Sequence, residues 1–275
     1  MFKKSSAMEK FSEFLQKKAL KIEKRFRFVI SALVMGSLML LSTFFLFDKA
    51  LIFLAVFLVF GYLFTYFSIL EGVEGIEWFT LFLMPIILTV SFYFFYFLFP
   101  VRWLTRLPFM FLFGISFYAV LLCSNIFNVG VEKSLQLYRA AFSINFFYQA
   151  VVFFLFNNAL FSFKLNFIIN ALAVFIIAVL LAFQLIWSVK LDLVIDKKTI
   201  AYAFLIGLLL SELALIGSFV PLKSTILALF LASSYYSLSG LIYSHLDQRL
   251  FKETVREFVS VWLIVLGLTI LSIRW

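Results

Sequence analysis

Nine apolar segments follow one another along this chain, and each is long enough to cross a lipid bilayer as a helix. A spanning helix needs about 20 apolar residues, and hydrocarbon leaves the backbone groups of loops and sheet edges without hydrogen-bond partners. The segments therefore predict an all-α polytopic integral membrane protein. We place the spans at residues 28–47, 50–70, 78–99, 105–127, 142–163, 166–188, 199–220, 223–245 and 258–273.

The composition agrees with this class of protein and argues against several others. Hydrophobic residues make up 65% of the chain and charged residues 13%, against about 45–50% and about 25% in soluble domains. The net charge of +9 comes from basic residues spread around the spans, so we expect no nucleic-acid partner. Because the chain has one cysteine, Cys123, and one histidine, His245, we expect neither an internal disulfide nor a metal site.

The motifs of common enzyme classes are missing from the sequence. It has no glycine-rich phosphate loop, no H-E-x-x-H pair and no nucleophile elbow. The parts outside the spans are too short for a soluble catalytic domain of ordinary size. We therefore expect a protein that is not an enzyme and that carries no cofactor.

The distribution of lysine and arginine predicts the orientation in the membrane. With the N-terminus in the cytoplasm, 17 basic residues lie on the inner side and 6 on the outer side, as the positive-inside rule requires. This predicts a cytoplasmic N-terminus and an external C-terminus, in a bacterial plasma membrane.

Residues 1–27 are basic and precede the single transmembrane domain at 28–275. They hold nine Lys and Arg residues, with Phe and Leu at roughly helical spacing between them. This pattern predicts an amphipathic helix on the cytoplasmic surface that binds anionic lipid head groups, although a partly disordered basic tail is an alternative. The predicted surface contacts are Lys17, Lys18, Lys21, Lys24 and Arg25.

Several short matches at a nearly constant offset suggest an internal duplication. Leu54–Phe57 matches Leu172–Phe175 at an offset of 118 residues, and Ser116–Tyr118 matches Ser233–Tyr235 at 117. Further matches are Pro100 with Pro221 and Arg139 with Arg256. The interpretation is a parallel repeat of four spans, residues 28–127 and 142–245, with an extra helix at 258–273.

Glu212 is the one charged residue near the middle of a predicted span. A charge in hydrocarbon costs about 2.5–3.5 kcal/mol on insertion scales, so such residues usually face protein or water. We expect Glu212 to meet Asn158 and Tyr235 between helices. Two interpretations are open, an ion or substrate path and a protonated carboxyl that holds two helices together. The candidate path residues are Glu212, Asn157, Asn158, Ser234 and Tyr235.

Three classes of function follow from these features. The first is a small transporter or channel with Glu212 at or near the path of an ion or solute. The second is a non-catalytic membrane subunit or scaffold that binds lipid or a protein partner. The third is a membrane-embedded enzyme that modifies lipid. The lipid bilayer is a partner in all three, and a homo-oligomer or a second membrane protein is a further expected partner.

Overall fold

The computed structural model describes residues 22–45, 49–70, 73–100, 102–130 and 135–273. Throughout these ranges the chain is helical and has no strand, and nine helices are long and apolar enough to cross a membrane. The predicted fold class, an all-α integral membrane protein with nine candidate spans, is confirmed to this extent. The helices are α1 (Lys24–Ser42), α2 (Ala50–Ile69), α3 (Glu77–Tyr96), α4 (Trp103–Val129), α5 (Leu135–Ser162), α6 (Phe167–Lys190), α7 (Lys197–Ser218), α8 (Ser224–Leu246) and α9 (Lys252–Leu271).

Three helices begin at least four residues earlier in the chain than the apolar pattern predicts. α5 starts at Leu135 and α9 at Lys252, not at 142 and 258, so their polar first turns continue directly into the spans. α1 starts at Lys24 and includes Arg25, which the sequence assigned to a separate surface segment. A helix keeps its backbone hydrogen bonds when it leaves the hydrocarbon, so a change to polar residues does not end it.

The remaining predictions for the basic N-terminal segment fall largely outside the described residues. Lys17, Lys18 and Lys21 precede the first described position and have no structural description. Arg25 is exposed and Lys24 is partly exposed in the first turn of α1.

α3, α5 and α8 form the interior of the bundle. α3 packs against α2, α4, α5 and α6, while α5 also contacts α4, α6 and α8. α8 contacts α5, α6, α7 and α9. α2, α7 and α9 bury the smallest shares of their surfaces and lie at the periphery.

Aromatic side chains fill much of the space between these helices. Phe57, Phe113 and Phe153 are fully buried, and the ring of Phe92 lies 5.5 Å from the rings of both Phe109 and Phe113. A Phe side chain buries about 150–250 Å², so a core built from such rings explains part of the phenylalanine content.

α6 and α7 approach each other closely because glycine and alanine lie between them. A Cβ atom on Gly207 would lie 2.4 Å from Val179 Cγ2 and 3.2 Å from the backbone oxygen of Phe175. Ala178 and Ala203 are also buried. Small residues allow such close approach of membrane helices, where van der Waals packing supplies much of the attraction.

Candidate functional site

Glu212 lies on the outer face of α7 and its side chain is exposed. Leu205, Leu208 and Ile216, which share this face at helical spacing, are also exposed. Among the described residues Glu212 has no hydrogen bond or ion pair. The predicted cluster of Glu212 with Asn158 and Tyr235 is therefore wrong, because α7 turns its alanine and glycine face toward the bundle and Glu212 away from it.

Two of the other predicted path residues lie inside the bundle near one end of α5. Asn157 is fully buried and donates to the Phe153 carbonyl of its own helix at 2.8 Å, while its Oδ1 has no hydrogen-bond partner. The Asn158 Oδ1 accepts a hydrogen bond from Thr225 Oγ1 at 3.4 Å, which links α5 to α8. These contacts connect helices to one another and do not reach Glu212.

Ser234 on α8 contacts the last helix. Its hydroxyl accepts a hydrogen bond from Trp262 Nε1 at 2.9 Å and donates to the Phe230 carbonyl at 2.8 Å. The nearby Ser237 hydroxyl donates to the Phe258 carbonyl at 3.0 Å. Ser234 therefore helps to hold α9 against α8.

Tyr235 belongs to a buried network of amide side chains that joins α5, α6 and α8. Its hydroxyl donates to Gln149 Oε1 at 2.7 Å. Gln149 donates to Gln184 Oε1 and to the Leu181 carbonyl, and Asn145 donates to the same Gln184 oxygen at 3.0 Å. We call Asn145, Gln149, Gln184 and Tyr235 the amide network; all four residues are buried.

The spacing of two amides in the sequence is a signal for this network. Asn145 and Gln149 are four residues apart, so they share one face of α5, and both point to the same glutamine of α6. Buried amides in a membrane helix need partners within the protein. Polar pairs at helical spacing would have predicted a contact between α5 and another helix more reliably than the lone carboxylate did.

An open pocket lies between the start of α5, the end of α8 and the start of α9. These helix ends are on the same side of the bundle as the start of α1. The pocket encloses about 490 Å³. We call it the interfacial pocket, and its chemically distinctive lining residues are Arg139, Phe146, Tyr236, Tyr243, Arg249 and Glu257. The lining combines exposed charged groups, which form the mouth, with less exposed aromatic rings.

The charges at the mouth come from both sides of the pocket. Arg139 on α5 and Glu257 on α9 are exposed, and Arg249 lies in the turn between α8 and α9. The Arg249 Nε lies 3.2 Å from Asp247 Oδ2, and the Arg249 side chain remains about half exposed. Arg139, Arg249 and Glu257 therefore line the same pocket, and Asp247 partly neutralises the charge of Arg249.

Stacked aromatic rings form the wall of the pocket. The rings of Phe146 and Tyr236 are 4.9 Å apart, and those of Phe142 and Tyr243 are 4.0 Å apart. The Phe258 ring lies 5.2 Å from that of Tyr236. Gly240 makes room for Phe258, because a Cβ there would lie 2.4 Å from its ring. This wall is apolar enough to contact a hydrocarbon chain.

A second opening is a groove between α1 and α4 that encloses about 540 Å³ and is almost entirely apolar. Gly36 and Gly114 lie along it, and a Cβ atom on either would meet nothing within 4 Å. Tyr118 also lines the groove. Glu212 lines neither this groove nor the interfacial pocket.

The part of the chain that the structure describes contains no candidate metal-binding site. No set of three His, Cys, Asp or Glu side chains there lies close enough to hold an ion. His245 is exposed at the end of α8, and Cys123 is a buried free thiol.

Comparison with known proteins places the chain in a family. No curated protein and no solved structure matches it. A family model described as "Protein of unknown function (DUF5656)" matches residues 71–272, which run from before α3 to the residue after α9. The match includes the amide network, the interfacial pocket and Glu212. Because it extends over more than half of its length, the chain belongs to the DUF5656 family of proteins of unknown function.

Proposed function

We propose that this protein binds a phospholipid from the inner leaflet in the interfacial pocket and acts as a non-catalytic, lipid-binding membrane subunit. The observation that carries the proposal is the pair of guanidinium groups, Arg139 and Arg249, at the mouth of an aromatic pocket open at the membrane surface. Arginine binds phosphate through paired N–H donors, and aromatic side chains are favoured at the boundary between head groups and acyl chains.

The carboxylate at the mouth adds selectivity to the proposed site. Glu257 lines the pocket together with the two arginines. A zwitterionic head group carries a phosphate for the arginines and an ammonium group for this carboxylate. A purely anionic head group would satisfy the arginines and leave Glu257 with a like charge nearby, which is unfavourable. We therefore expect phosphatidylethanolamine to bind better than phosphatidylglycerol.

An inner-leaflet site requires the orientation that the basic residues predict. The pocket lies at the start of α5 and α9 and the end of α8, the same face as the start of α1. The excess of lysine and arginine on this face supports a cytoplasmic location in a bacterial plasma membrane. The N-terminal segment, if it is an amphipathic helix, would lie against the same leaflet.

The helix contacts support the proposed duplication of four spans. In the first four helices, α1 contacts α2 and α4, α2 contacts α3 and α4, and α3 contacts α4. The second four repeat this pattern: α5 contacts α6 and α8, α6 contacts α7 and α8, and α7 contacts α8. Both α4 and α8 also contact the helix that follows them. We infer that α9 begins a third, incomplete copy.

The two proposed copies differ at the pocket. At an offset of 117 residues, Arg139 and Tyr236 correspond to Ile22 and Ala119, and Glu257 corresponds to Ala140. The groove between α1 and α4 accordingly has an apolar lining, whereas the interfacial pocket is charged. On this interpretation, ligand binding belongs to the second copy alone.

Transport along a path at Glu212 has less support from the geometry. Glu212 is exposed on the outer face of α7. Tyr235 lies inside the bundle, in the amide network. The helices that surround Tyr235 are packed with buried aromatic and amide side chains. We therefore favour lipid binding over transport as the function.

The test measures which lipids remain bound after purification in mild detergent. The protein is incubated with an equimolar mixture of phosphatidylethanolamine, phosphatidylglycerol and phosphatidylcholine, and bound lipids are counted by native mass spectrometry. We expect one tightly held phospholipid, and we expect Arg139→Gln to reduce its occupancy about tenfold, because a charge-assisted hydrogen bond to phosphate is lost.

Arg256→Gln is the matched control, because Arg256 is exposed beside Glu257 on α9 but does not line the pocket. It should leave lipid occupancy unchanged. Glu257→Gln should reduce the preference for phosphatidylethanolamine over phosphatidylglycerol while binding persists. Equal losses in Arg139→Gln and Arg256→Gln would mean that general surface charge, not the pocket, holds the lipid.

A further inference from the structure

The outer face of α7 carries a charged residue among aliphatic ones. This residue is Glu212, six residues before the end of the helix, or about 9 Å from it along the axis. Its neighbours on this face are aliphatic. Because a glutamate side chain is shorter than that distance, we infer that the carboxyl group lies within the hydrocarbon when α7 spans the membrane.

No basic side chain of the described chain compensates this carboxyl group. Lys197 and Lys198 lie at the opposite end of α7, about 20 Å away along the helix axis. Lys223, in the turn after α7, is exposed and forms no ion pair with Glu212 within 4 Å. The carboxyl group therefore has neither a charge partner nor a hydrogen-bond partner within one copy, among the residues that the structure describes.

A carboxyl group without a partner in hydrocarbon is unfavourable in either protonation state. The ionised form costs several kcal/mol, and even the neutral form loses the hydrogen bonds that it makes in water. Polar side chains in this situation stabilise the association of membrane helices. Because no described residue of the same chain supplies a partner, a second molecule packed on α7 would stabilise the carboxyl group.

We infer that a second copy of this chain provides that partner, and that α7 forms a two-fold interface centred on Glu212. A two-fold axis along the membrane normal brings the same residue of both copies to the same depth. A neutral carboxyl group is both a donor and an acceptor, so two of them form a self-complementary hydrogen-bonded pair. Leu208 and Leu215, one turn to either side, pack around this pair.

The other peripheral helices, α2 and α9, do not need a polar partner in the hydrocarbon. Toward the middle of α9 the exposed side chains include Leu263, Ile264 and Leu268, while the exposed Glu257 lies near its start at the interfacial pocket. The exposed side chains of α2 include Leu58 and Val59. Lipid tails are adequate neighbours for such residues, since hydrocarbon and leucine are equally apolar. The inference is independent of the interfacial pocket, which lies on α5, α8 and α9.

The test is disulfide cross-linking in native membranes in a Cys123→Ala background, which removes the buried thiol. Leu208→Cys lies beside Glu212 on the proposed interface, and Leu263→Cys lies on the exposed face of α9 as the matched control. We expect oxidation to convert Leu208→Cys to a covalent dimer and to leave Leu263→Cys monomeric. Equal cross-linking at both positions overturns the inference, because it would report random collisions.

Substitution of the carboxyl group tests its role directly. Glu212→Gln keeps a donor and an acceptor and should dimerise as the native chain does. Glu212→Leu should weaken dimerisation in proteoliposomes about tenfold, measured by single-molecule photobleaching. Undiminished dimers in Glu212→Leu, or monomers in the native protein, overturn the inference. So does cross-linking of Leu208→Cys to a different membrane protein in place of a second copy.

Discussion

At the scale of single residues, Tyr235 shows how a buried hydroxyl selects one arrangement of helices. Its 2.7 Å hydrogen bond to Gln149 joins α8 to α5, and the Gln149 amide continues the connection to α6. The Tyr235 ring also stacks on Phe153 at 4.9 Å. Such a network has partners for its polar groups in one packing of the helices, and a shifted packing leaves them buried without partners.

We expect Tyr235→Phe to lower the free energy of unfolding by about 0.6–1 kcal/mol, because Gln149 loses the donor to its Oε1. The measurement is the midpoint of unfolding in detergent mixtures. Tyr118→Phe is the control, since Tyr118 occupies the corresponding position of the proposed first copy and is only partly buried. Equal effects of the two substitutions would argue against a specific role for the amide network.

Arg106 is a second residue whose environment defines its role. It is buried, its Nη2 donates to the Thr43 carbonyl at 3.3 Å, and its guanidinium carbon lies 4.5 Å from the centre of the Phe44 ring. Thr43 follows α1, so the positive charge lies at the negative end of a helix dipole. A cation over an aromatic ring adds to this stabilisation.

We expect Arg106→Gln to destabilise the fold by about 1–2 kcal/mol, through loss of the dipole and cation–π interactions. The exposed Arg102 lies at the start of the same helix, so Arg102→Gln should change stability by less than about 0.5 kcal/mol. Thermal unfolding of the purified variants measures both effects. A larger loss in Arg102→Gln than in Arg106→Gln would contradict this account.

At the scale of helices, the contact between α6 and α7 depends on small side chains. We expect Gly207→Ala to force the two helices apart, because its Cβ would lie 3.2 Å from a backbone oxygen that cannot move independently. The expected cost is about 1–3 kcal/mol, as for other overpacked positions, and chemical unfolding of the purified variant measures it. Gly114→Ala, on the open groove of α4, should be neutral or stabilising, and a comparable loss there would contradict the packing argument.

The observed helix boundaries show that an apolar pattern measures the extent of the hydrocarbon and not the length of the helix. The pattern marks where hydrocarbon begins and ends, so it predicted the spans well and placed the starts of α5 and α9 too late. Those early turns hold Arg139 and Glu257, two of the three charged residues that line the interfacial pocket. The helical extension beyond the hydrocarbon is what gives the pocket its mouth.

At the scale of the whole molecule, the proposed orientation can be tested with single cysteines in the Cys123→Ala background. Val194, in the turn before α7, is 82% exposed, and Lys223, in the turn after α7, is also exposed. We expect a membrane-impermeant maleimide to label Lys223→Cys in intact cells and Val194→Cys only after permeabilisation. The reverse pattern would place the interfacial pocket on the outer side and contradict the proposed inner-leaflet ligand.

The number and approximate position of the spans followed from the sequence alone. The cost of exposing backbone and charged groups to hydrocarbon depends on the segment itself and hardly on its neighbours. The same reasoning identified Glu212 as unusual, because a charged residue far from both ends of an apolar segment is visible in the sequence without any knowledge of packing.

Only the tertiary structure decided which face of each helix meets protein. These helices are apolar on nearly all sides, so their periodicity does not distinguish a core face from a lipid face. The small residues of α7 turn toward α6, and this rotation puts Glu212 outside and away from Tyr235. The interfacial pocket likewise brings together residues of α5, α8 and α9 that no local pattern connects, because packing between distant helices sets their distance.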